Sequence, residues 1–269
     1  MTSAPGWDRD FARHRPFFAA LEPRLASLAR LPDFPGRAQA DAWLRESDDA
    51  IRDALGQSLT LVAPDARAGA RDYERAIADR GELAWRERDW HDLMNLLAWL
   101  AFPRTKAAIN AGHVASAAEV HPASGRGPRR DALTLFDESG ALVACSDPGL
   151  LDLLRGFRWR ELFVEHREAV RTQLRVLVVG HGLLDRCRQP WPGMTAHALC
   201  LPVSAAECAL DAPALGHVLD ERMAGAVAAL ATPRDLSPLP LMGIPGWCAD
   251  NEDPAFYGNT RIFRPGRRA

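Results

Sequence analysis

Apolar positions dominate one stretch of the chain, Leu93 to Phe102, where Asn95 is the one polar residue. A helix that is apolar all round is a buried helix. Ten residues span about 15 Å, half of what a membrane crossing needs, so the pattern predicts a core helix. The helix is expected to start near Asp89, whose carboxylate can cap free backbone amides.

A second helix is predicted to begin at Pro103, because proline suits the first helical position and cannot continue the preceding helix. Gly112 is expected to end it. On this helix the residues at i, i+4 and i+7 form one polar stripe, and they are Lys106, Asn110 and His113.

These two helices form the candidate site. On the first, His91, Asp92 and Asn95 share a face, and we assign them as candidate catalytic residues. An Asp that orients an imidazole is typical of general base chemistry. The stripe on the second helix is assigned to ligand binding. The alternative is a satisfied polar patch in the core on the first helix and a solvated face on the second.

Two further segments supply candidate residues. Alternating residues at 132–136, a turn at 137–140 and a return at 141–145 predict a β-hairpin over residues 132–145. Arg130 and Asp131, at its mouth, are candidate ligand-binding residues, and the alternative is a solvated loop.

Val176 to Val179 predict a strand that runs into a helix opening at Gly180, with His181 on its first turn. Unpaired amides at a helix N-terminus favour anions, so His181 joins the candidate ligand-binding residues. The alternative is a packed histidine, because no phosphate-loop or dinucleotide-binding motif occurs in the chain.

Helices and strands are interspersed without regular strand–helix alternation, which predicts an α+β fold. We expect one helix-rich domain over residues 1–269 with a small, mainly antiparallel sheet. Residues 59–64 and 195–202 are further strand candidates, and we expect the hairpin to pair in an antiparallel sheet with 195–202 as a possible neighbour. The segment from about 232 to 269 alternates Pro and Gly with aromatic residues. We expect it to be extended and held on the body by Trp247, Phe256, Tyr257 and Phe263.

Charge and cysteine content exclude several classes of protein. The net charge of −2 predicts no general attraction to nucleic acid or to membranes. The five cysteines are scattered and form no CxxC pair, which favours a reducing compartment. Residues 1–16 contain no apolar core of signal-peptide length, and no apolar run reaches the ~18 residues of a membrane span, so neither feature is expected. A cytoplasmic protein is expected, with no indication of a cofactor or an oligomeric state.

Of the 33 basic residues, Lys106 is the one lysine. Lysine supplies a compact charge on a slim stem, which arginine cannot replace at a buried position. We therefore predict that the Lys106 ammonium points into the cavity between the two helices, within reach of a carboxylate or a bound anion. The alternative is that the position of this lysine is due to chance.

Four ordered motifs resemble those of the bacterial domain-of-unknown-function 3025 family. They are RDWHDLMNLLAWLAFPRTKAAIN, RRDALTLFDESGALV, VVGHGLLD and GIPGWCADNEDPAFYGNTRIFRP. Two positions depart from the family pattern, Gly182 in place of alanine and Cys248 in place of tryptophan. The resemblance implies membership and no particular activity, cofactor or fold.

Three functions fit these residues. The first is a small-molecule-binding protein or enzyme whose polar pocket takes an anionic ligand, either a phosphate or a carboxylate. The second is a non-catalytic interaction module that uses its aromatic surface. The third is a metal-dependent hydrolase or nuclease with suitable ligand types but no known metal-binding spacing, and its ligands would be His91, Asp92, His113 and Asp131.

Overall fold

The computed structural model describes residues 6–46, 51–65, 69–118 and 127–266. The helices of this part are α1 Arg15–Phe18, α2 Glu22–Leu28, α3 Arg37–Glu46, α4 Ala70–Arg80, α5 Trp90–Ala101, α6 Pro103–Ala118, α7 Pro128–Ser139, α8 Pro148–Arg155, α9 Arg167–Gln173, α10 His181–Arg186, α11 Ala205–Cys208 and α12 Ala212–Ala228. The strands are β1 Thr60–Val62, β2 Glu82–Ala84, β3 Gly140–Cys145, β4 Leu174–Val178, β5 Thr195–Pro202 and β6 Ser237–Pro240.

A four-stranded sheet in the order β4-β3-β5-β6 forms the centre of the fold. Strand β3 is antiparallel to β4 and parallel to β5, and β5 is antiparallel to β6. Every residue of β3 is buried, as expected for a central strand with helices on its faces. The strands β1 and β2 form a separate parallel pair. Helices and small sheets together confirm the α+β class.

The two helices predicted from the apolar pattern are α5 and α6. Asp89 caps α5, because its carboxylate accepts a hydrogen bond from the Asp92 amide at 3.0 Å. Pro103 is the first residue of α6. Most of α5 is buried, and its two tryptophans, Trp90 and Trp99, are 3% and 1% exposed. Among the described helices, none has both the length and the apolar composition needed to cross a membrane.

The predicted hairpin over residues 132–145 is wrong in its first half. Residues 128–139 form α7, and only the second half is a strand, β3. Pro128 begins the helix, and the buried residues Ala132, Leu133 and Phe136 recur at helical spacing. Strand β5, the predicted neighbour, does pair with β3, but in the parallel direction.

Gly112 does not end α6, which continues to Ala118. A Cβ atom at residue 112 would lie 2.7 Å from a Leu133 methyl group on α7. The glycine therefore permits a close approach of α6 and α7, and this packing role explains a glycine within a helix despite its lower helix propensity.

The described part of the C-terminal segment packs on the rest of the chain. Strand β6 forms an edge of the sheet, and Tyr257 and Phe263 are 6% and 4% exposed. The indole of Trp159 donates a hydrogen bond of 2.7 Å to the carbonyl of Arg264. The segment contains short 3₁₀ turns between these anchors and is not fully extended.

Candidate functional site

Helices α4, α5, α6, α7 and α10 contribute side chains to one cavity with a volume of about 430 Å³. Six of the nine predicted site residues line it, namely His91, Asp92, Asn95, His113, Arg130 and His181. Lys106 and Asn110 lie behind the wall and hold residues that line it. The two predicted helices and the later segments therefore converge on one place.

The polar stripe of α6 is buried. Lys106, Asn110 and His113 are 4%, 2% and 6% exposed, so the alternative of a solvated face is wrong. The Lys106 ammonium forms an ion pair with Asp137 on α7, and it lies 5.8 Å from the centre of the Trp99 ring. The ammonium is therefore within reach of a carboxylate, as predicted, but Lys106 does not line the cavity and its partner lies on a third helix.

Asp137 is a buried anion. Burial alone would raise the pKa of this carboxyl group, but the charges of Lys106 and His181, and hydrogen bonds to them, hold the pKa well below its ordinary value. The second oxygen of the carboxylate, Oδ2, lies 3.5 Å from Nδ1 of His181. This separation exceeds the about 2.7–3.2 Å of an ordinary N–H···O hydrogen bond, so the contact is mainly electrostatic.

The pKa of Glu74 on α4 is raised, whereas that of Asp137 is lowered. The Asn110 side chain donates hydrogen bonds to the backbone carbonyl of Glu74 at 2.9 Å and to its carboxylate at 2.7 Å. Burial and the nearby charge of Asp137 raise the pKa of Glu74 from 4.5 to about 7. The carboxyl group therefore changes its charge near neutral pH, which is typical of groups that transfer protons.

Asn95 is 7% exposed and donates a hydrogen bond of 2.9 Å to the Tyr73 hydroxyl. Burial raises the pKa of Tyr73 well above its ordinary value, so the phenol stays neutral. The carbonyl oxygens of Asn95 and Asn110 have no hydrogen-bond partner among the described residues. Buried polar atoms are normally paired, so both acceptors are exceptions, and of the two residues Asn95 is the one that lines the cavity.

Two imidazoles meet at the cavity wall. Nε2 of His91 lies 3.1 Å from Nε2 of His181. Oε1 of Glu138 is 4.0 Å from the first nitrogen and 3.8 Å from the second. Burial and the neighbouring His181 lower the pKa of His91, which favours a neutral imidazole. This trio is the group of potential metal ligands found among the described residues.

Asp92 was expected to orient an imidazole, but its carboxylate holds Arg86 instead. One oxygen lies 2.6 Å from a guanidinium nitrogen, and the other accepts from the Arg86 amide at 2.7 Å. The carboxylates that face imidazoles are those of Asp137 and Glu138. The strong guanidinium–carboxylate pair explains the difference, since it satisfies both oxygens of Asp92.

Asp131 does not line the cavity and is exposed in the first turn of α7. The prediction placed it beside Arg130 at a hairpin mouth, but successive residues of a helix point in directions about 100° apart. The metal-ligand set His91, Asp92, His113 and Asp131 therefore does not assemble.

Eight of the residues that line the cavity were not predicted, and the ionisable ones among them are Tyr73, Glu74, Arg86, Asp137 and Glu138. The sequence did contain a signal for part of this group. Arg130, Thr134 and Asp137 lie at i, i+4 and i+7, a polar stripe that becomes visible once residues 128–139 are interpreted as a helix.

The fold and the site define an α+β protein with a polar cavity that contains buried ionisable side chains. The chain belongs to the family described as a protein of unknown function, DUF3025, which it matches over residues 59–267. No curated protein and no solved structure matches the chain.

Proposed function

We propose that the cavity binds a small molecule carrying a phosphate or a carboxylate, and that Arg130 holds this anionic group. The charge balance of the cavity supports the proposal. Arg86 is already paired with Asp92. Lys106 is likewise paired with Asp137. Arg130 lines the cavity without an ion-pair partner among the described residues, which leaves its guanidinium available for bidentate binding of an anion.

Glu74 is the group best suited to proton transfer with the bound ligand. Its pKa of about 7 lies near neutral pH, where a general acid or base is most effective. Glu74 and Arg130 line the same cavity, so an anion held by Arg130 would share that cavity with this carboxyl group. We therefore propose an enzyme in which Glu74 transfers a proton, while His91 and Asn95 contact the ligand.

Ligand-induced stabilisation tests the proposal. Purified protein would be screened against small phosphates and carboxylates by thermal unfolding, with a chelator present so that bound metal does not contribute. A ligand at 100 times its Kd should stabilise the native state by about 2.7 kcal/mol. Arg130→Gln should abolish this stabilisation. Arg155→Gln, at a half-exposed arginine on α8, is the matched control and should preserve it.

Two outcomes would contradict the proposal. In the first, no phosphate or carboxylate stabilises the wild-type protein. In the second, the stabilisation survives in Arg130→Gln, which would place the anion elsewhere on the chain.

A metal-dependent hydrolase is the second candidate function, and the observation that favours it is the convergence of His91, Glu138 and His181.

The third candidate, a non-catalytic interaction module, depends on exposed aromatic residues. In the described part of the chain, Tyr257 and Phe263 are buried, and the exposed large hydrophobic residues are Leu55, Trp191 and Val218.

A cytoplasmic location stays a prediction. The five cysteines are unpaired, which accords with a reducing compartment.

A further inference from the structure

We infer that His91, His181 and Glu138 bind one divalent transition-metal ion at the wall of the cavity. Any use of this ion to hold or polarise an anionic ligand rests on the proposed function. The metal site itself does not, because it depends only on the positions of three side chains.

The two imidazole nitrogens are already placed for a shared ion. Their separation is 3.1 Å. With metal–nitrogen bonds of about 2.0–2.1 Å, this separation corresponds to an angle of roughly 100° at the ion. That angle lies between the tetrahedral and octahedral values, so both nitrogens could bind the same ion without a change in the fold.

Asp137 prepares His181 for this role. The carboxylate faces Nδ1 of the imidazole at 3.5 Å, and a negative charge at this place favours the tautomer with its proton on Nδ1. Nε2 then presents its lone pair towards His91. A carboxylate behind a metal-bound histidine is a common arrangement that fixes the ring and raises its basicity. Asp137, held by Lys106, is thus a positioning residue.

Glu138 supplies the third ligand. Its Oε1 atom is 3.8–4.0 Å from the two nitrogens, roughly half an ångström beyond the separation of two tetrahedral ligands. The side chain is 44% exposed and can make this shift. Gly182 gives the carboxylate room, since a Cβ atom at residue 182 would lie 2.1 Å from Oε2.

Two histidines and one carboxylate are a donor set found for zinc and for other divalent transition metals. All three residues line the cavity. An ion held by them would therefore keep coordination positions open towards the space proposed for the ligand, which is the property that separates catalytic from structural metal sites.

Zinc titration of metal-stripped protein tests the site. Isothermal titration calorimetry should give one tight Zn²⁺ site per chain for the wild-type protein. The double variant His91→Ala/His181→Ala should lose this site. His217→Ala, at an exposed histidine on α12, is the matched control and should bind as the wild type does. Since His181 is buried, His91→Ala alone provides a second variant in case the double variant does not fold.

Two further measurements examine the individual ligands. Glu138→Gln keeps the size of the side chain and should weaken Zn²⁺ binding by about tenfold or more. Co²⁺ in place of Zn²⁺ should give an absorption spectrum without thiolate charge transfer, which excludes binding by the free cysteines.

The inference is overturned if the wild-type protein binds Zn²⁺ no more tightly than the histidine variants, or if Co²⁺ reports thiolate ligands. In either case the two imidazoles form a hydrogen-bonded pair only. Arg130-dependent anion binding in the presence of a chelator would survive that result, so the two proposals fail independently.

Discussion

Two adjacent residues of α6, Thr105 and Lys106, belong to two different buried polar clusters. The clusters differ in whether all of their polar atoms have hydrogen-bond partners. On one side, the Asp220 carboxylate of α12 accepts from the amides of Arg104 and Thr105 at 2.7 and 3.0 Å and from the Thr105 hydroxyl at 2.6 Å. On the other side, Lys106 pairs with Asp137 at the edge of the cavity.

The Asp220 cluster has a structural role. Its carboxylate satisfies backbone amides in the first turn of α6, where free amides and the helix dipole favour a negative charge. Burial raises the pKa of Asp220, and the hydrogen bonds from Thr105 and Arg104 oppose that shift. A fully satisfied cluster of this kind stabilises the packing of two helices and offers no group to a ligand.

The second cluster comprises Lys106, Asp137, Asn95, Asn110 and Glu74, and its hydrogen bonds are incomplete. The carbonyl oxygens of Asn95 and Asn110 have no partner among the described residues, and Glu74 has a pKa of about 7. Such groups cost stability in the free protein. Burial alone therefore does not distinguish a structural polar cluster from one that a ligand would complete. The distinguishing features are unsatisfied acceptors, a perturbed carboxyl group and an adjoining cavity.

The largest expected effect comes from Lys106→Met. This change leaves the buried Asp137 carboxylate without its main cation, and breaking a buried ion pair typically lowers the free energy of unfolding by about 3–5 kcal/mol. Urea denaturation measures the loss. The exposed pair of Arg158 and Glu161 provides the control, and Arg158→Met should cost about 1 kcal/mol or less.

A double variant separates charge burial from packing. Lys106→Met/Asp137→Leu removes both charges, and it should be clearly more stable than Lys106→Met alone. If the double variant loses as much as the sum of the two single variants, the two residues are not coupled.

The second prediction concerns the pH dependence of stability. The pKa of Glu74 is raised to about 7 in the folded state from an ordinary value of 4.5. Between these values the folded state binds more protons than the unfolded state, so the contribution of Glu74 to stability falls as the pH rises. The slope is about 1.4 kcal/mol per pH unit, and it ends above pH 7.

Glu74→Gln should remove this slope while keeping the size of the side chain. Urea denaturation of both proteins at several pH values between 4.5 and about 7 provides the measurement. A wild-type slope that is unchanged in Glu74→Gln would show that another group titrates in this window.

Asp220→Ala gives the third effect. The substitution leaves amides and the Thr105 hydroxyl without an acceptor at the start of α6, and an unsatisfied buried group costs about 1–3 kcal/mol. Anion and zinc binding should be unchanged, because Asp220 lies outside the cavity lining. A large loss of ligand or metal binding in a folded Asp220→Ala variant would contradict the assignment of separate roles.

The sequence predicted the site where local rules applied. Asp89 as a cap and Pro103 as a helix start are short-range signals, and both are confirmed. The lone lysine correctly indicated a buried cation. The prediction failed for residues 132–139, because a short apolar run with alternation fits both a strand and a helix. Because of that error, Asp137 and Glu138 were assigned to a turn and were not recognised as candidate site residues.

Local sequence patterns could not predict side-chain contacts between residues that are far apart in the chain. His91 and His181 are 90 residues apart, and Glu74 is 36 residues from Asn110. Neither spacing indicates a contact, because the packing of α4, α5 and α10 around α6 and α7 brings the side chains together. Gly112 shows the same limit, since its role depends on Leu133 of another helix.

The smallest expected effect is that of Asn95→Leu. The substitution removes the donor to the Tyr73 hydroxyl, but it also removes a buried carbonyl oxygen that has no partner among the described residues. The two contributions oppose each other, so the net loss should be about 1 kcal/mol or less, below that of Asp220→Ala. Tyr73→Phe leaves the Asn95 amide unsatisfied and should cost more, while the double variant should recover most of that loss. Urea denaturation of the four proteins gives the coupling energy. A loss above about 3 kcal/mol for Asn95→Leu would mean that this cluster is as complete as the one around Asp220, and that its open acceptors are not a mark of function.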